Sequence, residues 1–226
     1  MGDMNNSNES IELFVRAGRD GKSLGDCPFS QRIFLILCLK KVSFNITTVD
    51  MNKKPKRFMD ISPGGKIPVL VDGDRVLTDV SEMADYLEQT IPEPSLRSTN
   101  KKAMLAGIDV FQKFSRFIKN EDPQKDEILR KGLIKELLSL DSFLKSDNSP
   151  GCFLDGDTMT QLDCNMLPKL HHIRVASKRF KEFDIPEDFE GLRTYLNAAY
   201  ATEEFKDTLY PDDEVVHGWN KHLGRV

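Results

Sequence analysis

The chain has 226 residues, 39% of them hydrophobic and 30% charged, which is an ordinary globular composition with length enough to bury one large core or two small ones. A formal net charge of -4 gives no reason to expect nucleic-acid binding. The four cysteines (27, 38, 152, 164) contain no CxxC pair or disulfide-framework spacing, the four histidines share no metal-ligand spacing with them, and residues 1–10 lack the apolar stretch of a secretory signal. The expectation is a protein of the reducing cytosol with no metal site.

The first 90 residues alternate strand-like and helix-like patterns. Ile11 to Ala17 reads as a strand with Leu13 and Val15 on one face. A glycine-rich turn (Gly18, Gly21, Gly25) follows, and Pro28 to Lys41 reads as a helix whose proline is preset for the first position. Asn45 to Val49 is a second strand, and Lys53 to Asp60 a short helix. Ile67–Val71 and Arg75–Leu77 are short strands joined by the hairpin signal Asp72-Gly73-Asp74, and Asp79 opens a helix to about Gln89. The order βαβ, then ββα, is that of a thioredoxin-like domain, with a parallel, right-handed crossover in its first half.

Residues 92–100 carry Pro92, Pro94 and Ser95 and read as a linker between a domain over 1–91 and an all-helical domain over 101–226. A helix is expected over Lys101–Asn120, with Met104, Ile108, Phe111, Phe114 and Ile118 as a core stripe. Another is expected over Pro123–Lys145, with Ile128, Leu133, Leu137, Leu140 and Leu144. A break falls at Asp147–Gly151. The next helix runs from Thr160 to Phe180 behind a capping box of Thr160 and Asp163. Helices near 187–200, 202–208 and 212–222 finish the chain.

Chemistry concentrates at Cys27. If the helix starts at Pro28, unpaired N–H groups and the helix dipole favour a thiolate on the preceding cysteine, and the thiolate is the nucleophile. Ser30 stands where a dithiol enzyme has its resolving cysteine. A hydroxyl forms no disulfide, so the exchange partner comes from outside, and glutathione is the obvious cytosolic thiol. The alternative is a buried, inert Cys27; Cys38, Cys152 and Cys164 lie in or beside apolar patterns and read as core residues. Gly64-Gly65-Lys66-Ile67-Pro68 puts a proline at a strand start, where its missing donor is tolerated. A cis bond ahead of it, a minority state in general, would turn the Ile67 backbone outward. Thr78-Asp79-Val80-Ser81 begins a helix, so Asp79 can serve as a plain N-cap, as a carboxylate for a ligand ammonium group, or as both.

These segments carry a resemblance. ELFVRAGRDGKSLGDCPFSQRIFLILCLK, FNITTVD, PGGKIPVL, LTDV, FLDGDTMTQLDCNMLPKLHHI and YLNAAYATEEF are similar to the chloride intracellular channel family, which belongs to the glutathione-transferase fold superfamily near the omega class. The resemblance implies an α+β fold: a thioredoxin-like N-terminal domain followed by an all-α domain. It implies that Cys27 is the glutathione-reactive residue of a monothiol, glutaredoxin-like site and that Pro68 is a cis-proline. Phe29, Lys54, Ile67, Pro68, Asp79 and Val80 would bind glutathione. Within that set Ile67 would pair its backbone with the cysteinyl part, Asp79 and Val80 would hold the γ-glutamyl end, and Lys54 would meet the glycine carboxylate. Ser62 replaces the cysteine that some members carry before Pro-Gly-Gly, which excludes a disulfide from there to Cys27. Asp147–Gly151 is short where vertebrate members have a longer acidic loop, so partners read by that loop would be lost.

The resemblance also implies a redox- or pH-triggered membrane-inserting chloride channel through segment 27–49, hence conditional contact with membrane lipid, and cytoskeletal or other protein partners. The residues argue against membrane residence as the resting state. Arg32, Lys40 and Lys41 interrupt the segment, and each basic residue at a membrane centre costs about 2.5–3.5 kcal/mol against about 0.3–0.6 regained per large aliphatic residue. If the segment did insert, those cations would have to line a pore or meet lipid phosphates. Three functions follow: a glutathione-dependent oxidoreductase, a conditional anion channel, and a non-enzymatic interaction module built on the helical half.

Overall fold

The computed structural model describes residues 11–225; the polar segment 1–10, expected to lack a secretory signal, lies outside the described residues. Four strands form one sheet: β1 (Ile11–Arg16), β2 (Phe44–Val49), β3 (Val69–Asp72) and β4 (Arg75–Leu77), in the order β2-β1-β3-β4. β1 runs parallel to β2, Ile11 opposite Phe44, and antiparallel to β3, with Leu13 opposite Leu70. The crossover between β1 and β2 is α1 (Pro28–Lys40); α2 (Lys56–Ile61) precedes β3, and α3 (Val80–Thr90) follows β4. Side-chain alternation divides β1 as the sequence requires. Leu13 and Val15 join the large core under α1 and α3, while Phe14 faces the other way into a small cluster with Val49, Phe58 and Val69 beneath α2.

The short elements start where proline allows. α2 begins after Pro55, its N-cap, three residues later than expected, and β3 starts only after Pro68, which has no ladder donor. The Ile67–Pro68 bond is cis, as the resemblance implied, and so is Glu93–Pro94. In α1 Ile33, Leu35, Ile36 and Leu37 are all buried, because the helix lies between the sheet and α7 (Gln161–Lys181). A helix apolar on all sides needs such double cover.

The rest of the chain is helical: α4 (Lys101–Leu105), α5 (Val110–Ile118), α6 (Pro123–Leu144), α7, α8 (Glu190–Ala201), α9 (Glu203–Thr208) and α10 (Asp212–His222). The single helix expected over 101–120 is two. Gly107 adopts φ +69°, outside the helical region, and a Cβ there would meet Met166 at 2.7 Å. The break changes the helical phase, so Met104 and Ile108, expected in the core, are 45% and 68% exposed, while Phe114 and Ile118 are buried. Ile128 is 71% exposed for a related reason. Leu133, Leu137 and Leu140 fix the inward face of α6, and stepping back along it reaches Leu129, which packs on the core, not Ile128. The capping box at α7 is present, and Asp163 also accepts from Leu154 N and the Tyr195 hydroxyl through its other oxygen.

Lys40, read from sequence as an obstacle to membrane insertion, is buried inside the fold. Its ammonium pairs with Glu88 at 2.7 Å and donates to the carbonyls of Ile91 and Pro94 at 2.7 and 2.9 Å. Burial alone would raise the Glu88 carboxyl, but Lys40, Ser95 and the Leu96 amide outweigh it and hold it below its ordinary value. The pair ties the end of α1 to α3 and to the segment that leads into the helical half. Lys41, by contrast, is exposed and closes α1 in the left-handed conformation.

Candidate active site

Cys27 is the N-cap of α1, with Pro28 at the first helical position. Among the described residues no capping hydrogen bond uses its sulfur, and the residue is half-buried, open to a cleft of about 420 Å³. The cleft runs between the sheet domain and the helices. From the first it is lined by Arg16, Phe29, Met51, Gly65 and Ile67; from the second by Phe111, Lys119, Trp219 and His222. Phe29 is 43% exposed at its edge. Among the described residues, no backbone hydrogen bond involves Ile67, so its N–H and C=O remain for an extended peptide. The turn before it is fixed by Ser62, whose buried hydroxyl accepts from Lys66 N and donates to Lys66 O, each at 3.1 Å. Where some relatives would carry a second thiol, this chain has a turn-closing hydroxyl.

The remaining expected residues divide. Lys54 is exposed, and its Nζ lies where a Cβ on Gly65 would be 2.9 Å away, over the wall of the cleft. Pro68 is buried and is not part of the cleft lining. Asp79 and Val80 lie outside the cleft lining. The Asp79 carboxylate caps α3, accepting from the backbone N–H groups of Ser81 and Glu82 at 2.8 and 3.0 Å, and those bonds hold it below the ordinary carboxylate range. Lys40 and Lys41 are at the far end of α1 from Cys27, and Arg32 points into the contact with α7 through Asn165. Cys38 and Cys152 are half-buried rather than core residues, and Cys164 is buried. Burial pushes the Cys38 thiol up to about 11 and the Cys164 thiol well above its usual value, and it raises Cys152 as well. Of the four, only Cys27 lines the cleft.

Sequence reasoning missed the supports of Cys27. The preceding Asp26 is buried in the cleft wall and accepts from Arg16 Nη1 at 3.2 Å; desolvation nevertheless raises its carboxyl above the ordinary range. The loop before it is held by α10: Arg19 Nε donates to Glu214 at 2.8 Å, and Arg19 also pairs with Asp213. Gly218 of α10 packs on Asp26 so closely that a Cβ would stand 1.6 Å from Oδ2. In the cleft wall, the Trp219 indole donates to His172 Nδ1 at 3.1 Å, so the proton of His172 is on Nε2 and donates to the Tyr210 hydroxyl at 2.7 Å. The signal for these supports was an aspartate beside the cysteine and a paired His171-His172 inside an apolar helix. Neither marks its partner: Gly218 lies 192 residues beyond Asp26, and Tyr210 and Trp219 lie 38 and 47 residues beyond His172.

Residues 9–94 match the family described as CLIC-like N-terminal domain. The chain carries a CLIC-like N-terminal domain. Over 96% of its length the whole chain is similar to the crystal structure of dehydroascorbate reductase from Chlamydomonas reinhardtii, covering 100% of that chain, with 29% identity and a TM-score of 0.86. It is also similar in fold to the CLIC homologue EXC-4 from C. elegans, with 22% identity, a TM-score of 0.83, and coverage of 96% of this chain and 87% of that one. The fold is that of the glutathione transferases, a thioredoxin-like domain joined to a helical one. In this setting the CLIC-like domain supplies Cys27 and Ile67, and α5, α7 and α10 supply the facing wall of the cleft.

Two predictions arise from the wall. Gly218→Ala forces its methyl group into the Asp26 carboxylate; overpacking of this kind costs about 1–3 kcal/mol. A matching drop in urea-unfolding free energy is expected, and wild-type stability would contradict the packing. His172 is the second case. Burial lowers it to about 3, and His171 to about 4 with Arg174 contributing. Both folded-state values lie below that of the unfolded chain, so the unfolded chain takes up protons first. Stability is complete above about pH 6.5 and falls as pH drops towards those values, by about 2 kcal/mol for His172 at pH 5. NMR titration of the folded protein should find both imidazoles neutral at pH 5; a midpoint near 6.5 for His172 would contradict its burial.

Proposed function

We propose that this chain is a member of the chloride intracellular channel family whose Cys27 works as a glutathione-dependent monothiol oxidoreductase in the cytoplasm. The observation that carries the reading is a half-exposed thiol at the start of α1, opening on a cleft whose wall offers the unused backbone of Ile67 and, nearby, the ammonium of Lys54. An extended peptide thiol can pair with Ile67 and set its sulfur against Cys27, with Lys54 within reach of its terminal carboxylate and Phe29 at the edge. Pro68 then acts from behind by fixing Ile67. The γ-glutamyl end would extend towards the start of α3, where Asp79 and the Val80 backbone would receive its ammonium and carboxylate.

The reaction proposed is R–S–S–G + GSH → R–SH + GSSG. The Cys27 thiolate attacks the glutathionyl sulfur, a Cys27–glutathione disulfide forms, and R–S⁻ leaves and takes a proton. That proton is the one the incoming glutathione thiol gives up, so the two exchanges balance. A second glutathione thiolate attacks the mixed disulfide, releasing GSSG and the Cys27 thiolate. The cleft's mixture of apolar walls with Arg16, Lys119 and His222 suits small disulfides that carry negative charge. The test is steady-state turnover of a glutathione–cysteine mixed disulfide with glutathione. Lys54→Ala should raise KM for glutathione about fivefold to tenfold with kcat nearly unchanged, since it removes a charge that binds ground and transition states alike. An unaltered KM removes Lys54 from the site.

The channel reading has less support. Among the described residues no helix is long and apolar enough to cross a membrane, and α1 has 13 residues against the roughly 20 required. Insertion of segment 27–49 would require withdrawing α1 from two layers of core and breaking the Lys40–Glu88 pair. For the interaction module, no feature of the helical half specifies a partner.

A further inference from the structure

Arg32 on α1 and Lys169 on α7 meet at one neutral oxygen: Arg32 Nη1 donates to Asn165 Oδ1 at 3.3 Å, and Lys169 Nζ donates to the same atom at 2.7 Å. Among the described residues neither cation forms an ion pair; Asp79 and Asp85 act on Arg32 only from a distance. The Arg32 Nε is sealed from solvent and has no hydrogen-bond partner. Burial, then the charge of Arg32, brings the Lys169 ammonium down to about 8. Both residues are half-buried, and charges withdrawn from water are normally paired, because desolvation is otherwise uncompensated. Here two like charges share an uncharged acceptor, and Lys169 keeps donors beyond the one spent on Asn165.

A cavity of about 110 Å³ opens beside them, separate from the Cys27 cleft except for Phe111, which borders both. Its polar end is Asn165 and Lys169; its other walls are apolar, among them Met104, Ile108, Phe111 and Met166. The exposed Met104 and Ile108 form its outer rim. One cationic end and one greasy, open end select an amphiphilic anion. We propose that this cavity binds a monocarboxylate with a short apolar tail, its carboxylate on Lys169 with the charge of Arg32 behind, and its tail along Phe111, Met166 and Ile108.

The test titrates the full chain with sodium hexanoate, with hexanamide, and with sodium chloride at matched ionic strength, by calorimetry and by thermal shift. Saturable hexanoate binding is expected, with hexanamide and chloride each weaker by about tenfold or more, and with affinity reduced about tenfold or more in Lys169→Met. Ile108→Glu, a change at an exposed rim position that the fold tolerates, places a carboxylate at the mouth and should weaken hexanoate by a similar factor. Absence of saturable hexanoate binding overturns the proposal. So does equal binding of hexanamide or chloride, or full affinity in Ile108→Glu whether or not Lys169→Met folds.

Discussion

Cys27→Ser is expected to reduce glutathione-dependent thiol transfer to background, a loss of at least about three orders of magnitude, because a hydroxyl can neither attack a disulfide at neutral pH nor form the mixed disulfide. The substitution is nearly isosteric and replaces a side chain that makes no capping hydrogen bond, so thermal stability should change little and the loss is attributable to chemistry. Cys38→Ser and Cys152→Ser provide the contrast. Burial disfavours thiolate at both and neither lines the cleft, so both variants should retain wild-type turnover. Activity that survives Cys27→Ser and disappears in either of the others would transfer the site elsewhere.

The second large effect concerns the fold. Lys40→Met removes the ammonium from a pair whose side chains are both essentially without solvent contact. Glu88 is left buried with Ser95, Leu96 N and Gln161 but no counter-charge. Losing one partner of such a pair costs about 3–5 kcal/mol, whereas replacing both with apolar residues of similar volume is often neutral. Lys40→Met is therefore expected to lose stability of that size in urea unfolding, and Lys40→Met combined with Glu88→Met to recover most of it. A single variant as stable as wild type would mean that the pair contributes nothing. The same experiment bears on membrane insertion through segment 27–49, since that pair is one of the contacts insertion would have to break.

Where local rules were sufficient, the sequence was legible. The alternation over 11–17, the proline after Cys27, the Asp72-Gly73-Asp74 turn and the Thr160–Asp163 capping box each put an element within a few residues of its place, because each depends on neighbours in the chain. The failures involve partners the chain does not announce. The phase break at Gly107 depends on a close approach by Met166, and so the stripe through Met104 and Ile108 was read as core. Ile128 was assigned to the buried face although Leu129 holds that phase. At the candidate site, the place of Cys27 at a helix start could be read from spacing and the cis bond after Ile67 followed from the resemblance, but the wall that faces them comes from α7 and α10 in the helical half. Lys40 was read as a cost to membrane insertion; Glu88, which gives it a structural role, is 48 residues downstream and looks like any helical glutamate.

The most direct measurement is intact mass after incubation of the wild-type chain with oxidised glutathione, followed by peptide mapping. One glutathionyl group, carried on residue 27 and removed by reduced glutathione, is the predicted result. A chain that stays unmodified there, or that takes the adduct on Cys38 or Cys152 while residue 27 remains a free thiol, would contradict the account.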